Sequence, residues 1–241
     1  MRIKYEHFRK KVNYKSIIKD IFFIYIIAVI SVLLFNSIFF QAFKIRENSM
    51  EPQITENSSV LINKFIYGPK YPFFDVRIFN ATNNIKRGDV IVFMSKEYMN
   101  SNIFVRFFSS VIYTLTFTMV DLINLNNNDN TSFFIKRVVG IPNDVIKYKL
   151  VDNNIVVFIN DIPEKSLINL NYKLIEDNND KYPLINEYKV KKDEYYVLGD
   201  NRKVSFDSRI IGGISSEQIV GKAIFKYNLL PFNKIKLGVI K

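Results

Sequence analysis

The chain contains no cysteine and no tryptophan, and its single histidine, His7, precedes its only long apolar run. The absence of cysteine excludes disulfides and thiolate metal sites, and leaves the redox compartment open. A Ser-His-Asp or Cys-His site downstream of the apolar run is excluded by count. A serine nucleophile in that part of the chain therefore has to use another base, and the remaining common choice is a lysine with a lowered pKa. Nucleic-acid binding also lacks support. The 34 Lys and Arg outnumber the 23 Asp and Glu, for a net charge of +11, but they are scattered rather than gathered on a reading helix. An anionic membrane surface is the better match to that charge.

The 241 residues suit one globular domain of about 150–200 residues plus accessory segments. Residues 1–20 are basic, with Arg2, Lys4, Arg9, Lys10, Lys11, Lys15 and Lys19 against Glu6 and Asp20. Residues 21–43 carry no charge, and 21–40 alone reach the length a helix needs to cross ~30 Å of hydrocarbon. Soluble helices rarely stay apolar all round for so long. A cleavable leader would have a shorter apolar core and a small-residue cut site, whereas residues 39–43 are bulky. The reading is a basic cytoplasmic tail (1–20), a single transmembrane helix (21–43) and an extracytoplasmic domain (44–241). Its orientation follows from the basic tail.

Beyond residue 44 the pattern changes to short β-like runs with Gly, Pro and Asn punctuation: 59–64, 90–93, 133–140, 144–148, 154–160 and 194–198. Lys86-Arg87-Gly88-Asp89 is a turn opening the second of these, and Asn160-Asp161 is another turn. A mostly-β domain is predicted. Residues 95–132 stand out. Within them 107–120 is charge-free but too short to span. Strict alternation over 113–119 predicts a half-buried strand, with a segment resting on the bilayer surface as the competing reading. The Asn-rich stretch 122–131 reads as a loop.

Two side chains carry the candidate chemistry. Ser49 lies in a turn-prone stretch, Asn48-Ser49 followed by Pro52, just beyond the apolar run. Lys136 lies inside an apolar strand, and alternation puts it on the face of Phe134 and Val138, opposite Ile135 and Arg137. An ordinary lysine, with a pKa of about 10.4, is charged at neutral pH and is no base; desolvation on an apolar face lowers that value. The bland reading makes Lys136 and Arg137 strand-edge charges that discourage aggregation. The residues alone leave both open.

In order and detail, the motifs resemble those of type I signal peptidases. Ser49-Met50 with Pro52 is similar to their serine box, and Arg87-Gly88-Asp89-Val90-Ile91-Val92-Phe93 to their next strand. Phe134-Ile135-Lys136-Arg137-Val138-Val139-Gly140-Ile141-Pro142-Asn143-Asp144 resembles the lysine box. Tyr195-Tyr196-Val197-Leu198-Gly199-Asp200-Asn201-Arg202, with Ser205, Asp207, Ser208 and Arg209, resembles the last box, and Gly221-Lys222-Ala223 the closing strand. The resemblance covers about residues 20–228. It implies a mostly-β, antiparallel, barrel-like catalytic domain behind one transmembrane helix, in the bacterial cell membrane. The implied activity is a membrane-anchored serine endopeptidase that removes signal peptides from exported proteins.

It further implies that Ser49 is the nucleophile and Lys136 the general base. Ser205 would orient the lysine amine, the Ser49 N–H would bind the oxyanion, and Asp207 and Arg209 would pair to hold the last loop. Phe43, Ile45, Met50, Ile54, Phe134 and Ile135 would line shallow pockets for a small-x-small substrate strand. Neither cofactor nor metal is implied, and the partners are signal peptides and the lipid bilayer. Several residues depart from the family pattern. Glu47 stands where the family usually has Gly or Ser assisting the oxyanion hole, and a carboxylate there would oppose catalysis. Gln53 replaces a usual Thr, and Lys203-Val204 a usual Asp-Asn. The Ser49–Lys136 spacing is long, with the excess in 95–132. Both residues must lie on one side of the membrane, so the chain between them crosses an even number of times. The competing functions are a relative that binds signal peptides without cutting them, another Ser-Lys protease such as a self-cleaving repressor, and a basic membrane-surface binding protein.

Overall fold

A computed structural model describes residues 14–70, 76–115, 133–151, 154–168, 187–228 and 236–240. The first element, helix α1, spans Tyr14–Ile38. In its apolar stretch, residues 14–36, none of the described side chains is buried against the rest of the protein. Among the described residues it is the one helix long and apolar enough to cross a membrane. It starts earlier than 21 and stops well short of 43. Lys15, Lys19 and Asp20 extend it backward, since they are exposed at its end and lysine is a good helix former. At the other end residues 40–43 leave the helix because they have strand partners: β1 (Phe40–Lys44) pairs antiparallel with β2 (Ser59–Asn63), from Phe40↔Asn63 to Lys44↔Ser59.

The remaining strands are β3 (Val90–Met94), β4 (Phe133–Gly140), β5 (Val145–Val151), β6 (Asn154–Ile159), β7 (Ile162–Pro163) and β8 (Tyr188–Lys189). They are followed by β9 (Glu194–Leu198), β10 (Ile214–Ser215), β11 (Ile219–Asn228) and β12 (Lys236–Val239). The main sheet runs β1-β2-β11-β3-β4-β9-β10, with β12 on β11, and a smaller sheet runs β7-β6-β5-β8. Every pairing is antiparallel. The domain is therefore mostly antiparallel β. β6 and β7 are joined by Asn160 and Asp161 at φ 50 and 64, the positive values a two-residue type I′ hairpin requires.

β4 is central, between β3 and β9. Its Ile135 face belongs to a core with Phe43, Ile45, Met50, Ile54, Val90 and Val92. On the opposite face Phe134 and Val138 pack with Ile91, Phe93, Val197 and Ile219. This is the alternation read from the sequence. It also removes the edge-charge reading: Lys136 and Arg137 are both fully buried. A third cluster, with Val139, Tyr196 and Leu198 from the main sheet and Ile146, Val157 and Ile159 from the small one, joins the two sheets.

The insertion departs from expectation. After β3 come α2 (Lys96–Asn100), capped by Ser95 Oγ accepting from the Tyr98 N–H at 3.1 Å, and α3 (Ile103–Leu115). The predicted strand over 113–119 is thus wrong for 113–115, which end a helix; 116–119 and the expected loop 122–131 lie outside the described residues. The physical reason is period. Ile103, Phe104, Phe107, Phe108, Val111 and Ile112 recur at three- and four-residue spacing, which makes one apolar helix face. The two-residue alternation covers only the tail of that stretch.

Candidate active site

Ser49 lies in the excursion between β1 and β2. The excursion is closed at its base by Ile45 N–H donating to Ser58 O (2.8 Å) and Asn57 N–H to Ile45 O (2.9 Å). Met50 and Ile54, both fully buried, tie it to the core. From the opposite side Asn201 clamps it, its N–H donating to Ser49 O at 3.0 Å and its Nδ2 to Asn48 O at 3.3 Å.

The two candidate catalytic residues, 87 positions apart in sequence, meet. Lys136 Nζ is 2.7 Å from Ser49 Oγ. Ser49 is 3% exposed and Lys136 0%. Burial pushes the Lys136 amine below the ordinary lysine range; the carboxylates of Glu47, Asp207 and Asp200 oppose this, and Arg209 assists it. The Phe134 ring is 5.7 Å from Nζ. Next to it on β4, Arg137 holds the strand in place. Its Nε and Nη2 each donate at 2.8 Å to the two oxygens of Asp200, and its Nη1 donates to Gly88 O at 2.6 Å. One guanidinium thus joins the turn before β3, the lysine strand and the loop after β9.

That loop, residues 199–209, brings the supporting residues together. Arg209 grips Asp207 in a two-point pair, Nε–Oδ1 2.8 Å and Nη2–Oδ2 2.9 Å, and Asp207 also accepts the Gly199 N–H at 3.0 Å. Ser205 is fully buried. A Cβ at Gly199 would lie 2.2 Å from Ser205 Oγ and 2.6 Å from Ser49 O, so Ser205 and the Ser49 backbone approach one another across a glycine. Arg202 forms a second buried pair, with Glu164 (2.6 and 2.9 Å). The structural partnerships of Gly199, Asp200, Asn201 and Glu164 were not read from the sequence. For the first three the only signal was their place in the last motif, and Glu164 gave none.

Five of the six expected pocket residues, Phe43, Ile45, Met50, Ile54 and Ile135, share one cluster. Phe134 is on the opposite sheet face, against Phe93 and Phe206 (centroids 5.7 and 6.2 Å). There it lines a pocket of about 480 Å³ with Glu47, Lys96, Glu97 and Phe206. Glu47 does not turn away from the dyad. Its Oε2 is 3.4 Å from Ser49 Oγ and 3.8 Å from Lys136 Nζ. Among the described residues no group of three or more His, Asp or Glu gathers in a way that could hold a metal ion.

The arrangement suits acyl transfer by an activated serine. Comparison with known proteins agrees. The family model described as signal peptidase, peptidase S26, matches residues 18–228. Signal peptidase I P of Bacillus subtilis subsp. natto is 26% identical over 218 residues, covering 88% of each chain. Signal peptidase IB of Staphylococcus aureus is 28% identical over 225 residues, covering 87% of this chain and 89% of its own. Signal peptidase I of Buchnera aphidicola subsp. Baizongia pistaciae is 24% identical over 277 residues, covering 90% and 79%. With a matched stretch that runs from the apolar helix to the end of β11 and contains Ser49, Lys136 and the 199–209 loop, the chain belongs to the signal peptidase family, peptidase S26.

Proposed function

We propose that this protein is a membrane-anchored serine endopeptidase that cuts signal peptides from exported preproteins with Ser49 as nucleophile and Lys136 as general base. The observation that carries this is the 2.7 Å contact between Ser49 Oγ and the amine of a lysine with no solvent exposure. Neutral Lys136 takes the hydroxyl proton as Oγ attacks the scissile carbonyl, then returns it to the leaving amine. Water hydrolyses the acyl-enzyme by the same route. The Ser49 N–H stabilises the oxyanion, Ser205 orients the amine, and the Asp207–Arg209 pair holds their loop. The substrate lies as an extended strand with small residues at alternate positions entering shallow pockets floored by the buried cluster of Phe43, Ile45, Met50, Ile54 and Ile135.

In this reading α1 crosses the bacterial cell membrane once, with the basic tail cytoplasmic and residues 44–241 outside. The described part of the insertion, α2 and α3, rests on the lipid. Over its described residues α3 is about 20 Å long, less than the ~30 Å of a bilayer core, and Phe104 and Phe108 are 70% and 57% exposed on it. A train of rings, Phe35–Phe39–Phe65–Phe79, with centroids 5.2–5.7 Å apart, leads from the membrane helix onto the domain.

The test is cleavage of a precursor with an Ala-x-Ala cut site by purified protein in detergent. Ser49→Ala and Lys136→Ala each abolish cleavage while circular dichroism stays unchanged. Full activity in the lysine variant would refute the mechanism.

A further inference from the structure

The carboxylate nearest the dyad takes no part in the chemistry above. Three carboxylates surround Lys136: Asp200, Asp207 and Glu47. Two are matched by a guanidinium, Asp200 by Arg137 and Asp207 by Arg209. Glu47 instead directs its Oε2 to the reacting atoms, 3.4 Å from Ser49 Oγ and 3.8 Å from Lys136 Nζ. The two partners differ in their surroundings: the Lys136 side chain is wholly buried and that of Glu47 is 41% exposed.

A serine hydroxyl has one proton to donate. With an amine 2.7 Å from Oγ and a carboxylate oxygen 3.4 Å from it, a charged Lys136 donates to Oγ and leaves the hydroxyl proton to point toward Glu47, so that the proton chain would run from amine to carboxylate. Catalysis requires the reverse, with Oγ–H pointing at a lone pair on neutral Nζ. Glu47 opposes that in two ways: a nearby anion favours the charged ammonium, and its oxygen competes for the hydroxyl proton.

We propose that Glu47 is a positioning residue that keeps the free enzyme's Ser49–Lys136 pair in this idle proton arrangement and leaves it when a substrate strand covers the chain around residues 43–47. The inference rests on the Ser-Lys reading of the site. Room for the movement exists. Glu47 already lines the pocket of about 480 Å³ that it shares with Lys96, Glu97, Phe134 and Phe206. A carboxylate displaced from the dyad can move there without being buried, with the Lys96 amine as a counter-charge. The residue that departs from the family pattern thereby becomes a gate on the dyad's protonation rather than a defect in the oxyanion hole.

The consequence is readable in pH profiles. The acid limb of kcat/KM reports the free enzyme and that of kcat the substrate complex. With Glu47→Gln the acid limb of kcat/KM moves to lower pH by about one unit, the low end of what a neighbouring opposite charge does, so activity below the limb rises up to ~10-fold. The limb of kcat moves less, because substrate has already displaced the carboxylate. Glu47→Ser shifts the profile in the same direction, and Glu47→Asp leaves it near wild type. An unmoved kcat/KM limb in both Glu47→Gln and Glu47→Ser overturns the proposal. So does loss of cleavage in folded Glu47→Gln, which would make Glu47 itself the base. Ser49→Ala and Lys136→Ala in the same assay keep the two questions apart: if they are inactive while the Glu47 profiles are unmoved, the dyad stands and only the gate fails.

Discussion

Adding one methyl group at Gly199 tests whether the 199–209 loop and the nucleophile are mechanically one unit. Gly199 follows β9, and its backbone lies outside the left-handed region, so alanine is acceptable there on conformational grounds. The obstacle is space. The new Cβ would meet Ser205 Oγ at 2.2 Å, Ser205 Cβ at 2.5 Å and Ser49 O at 2.6 Å. Ser205 is fully buried, and the Ser49 carbonyl is backbone held by the Asn201 N–H, so neither is a flexible end that swings aside. Against the 3.4 Å at which ordinary contact begins, 2.6 Å is a shortfall of about 0.8 Å. If half or more of that is taken up by the Ser49 segment, the 2.7 Å hydrogen bond to Lys136 stretches beyond good geometry. A displacement approaching 1 Å at the reacting atoms costs about 100-fold in rate, or ~2.7 kcal/mol of barrier. Overpacking a buried site costs the fold about 1–3 kcal/mol. Gly199→Ala should therefore remain folded with a lowered Tm and lose about two orders of magnitude in kcat for precursor cleavage, with KM changed far less. A Gly199→Ala protein with wild-type kcat would refute the idea that this glycine sets the distance between loop and nucleophile.

Two further outcomes follow from Lys136 and α3. Burial lowers the Lys136 amine below its unfolded range, so between the two values the unfolded chain binds more protons, and wild-type stability rises with pH through that window. Lys136→Met, which has no amine to desolvate, should be more stable than wild type to urea in detergent at pH 7. Its advantage should shrink toward pH 10 by about 1.4 kcal/mol per pH unit within the window; an advantage that widens with pH would contradict the burial argument. Replacing Phe104 and Phe108 of α3 together by serine removes two exposed rings. It should weaken binding of the protein without α1 to anionic vesicles in flotation assays, while cleavage of a soluble peptide substrate stays near wild type. Unchanged flotation would remove α3 from the lipid surface.

Much of this protein was legible locally. Chain composition left lysine as the common choice of base for a serine nucleophile, because one histidine ahead of the apolar run cannot serve a site behind it. Strand bounds for β4 and β9 were read to the residue, because short apolar runs ended by Gly, Pro and Asp report their own limits. Alternation put Lys136 with Phe134 and Val138, as the two packed faces of β4 bear out. Local patterns failed where two periods overlapped. Residues 113–115 alternate like a strand but continue a three-and-four spacing begun at Ile103, and the longer pattern won because it builds a whole helical face. Only tertiary structure could decide the rest. Central placement of β4 turned two charged residues from edge decoration into buried groups, one desolvated and one paired with an aspartate 63 positions away. Sheet order brought Ser49 within 2.7 Å of an amine 87 positions away. The direction taken by Glu47, toward the dyad rather than away, also belonged to the folded site. Covalent order sets which groups exist and which face of a strand each occupies, but desolvation and distances between remote atoms arise only when the sheet closes around them.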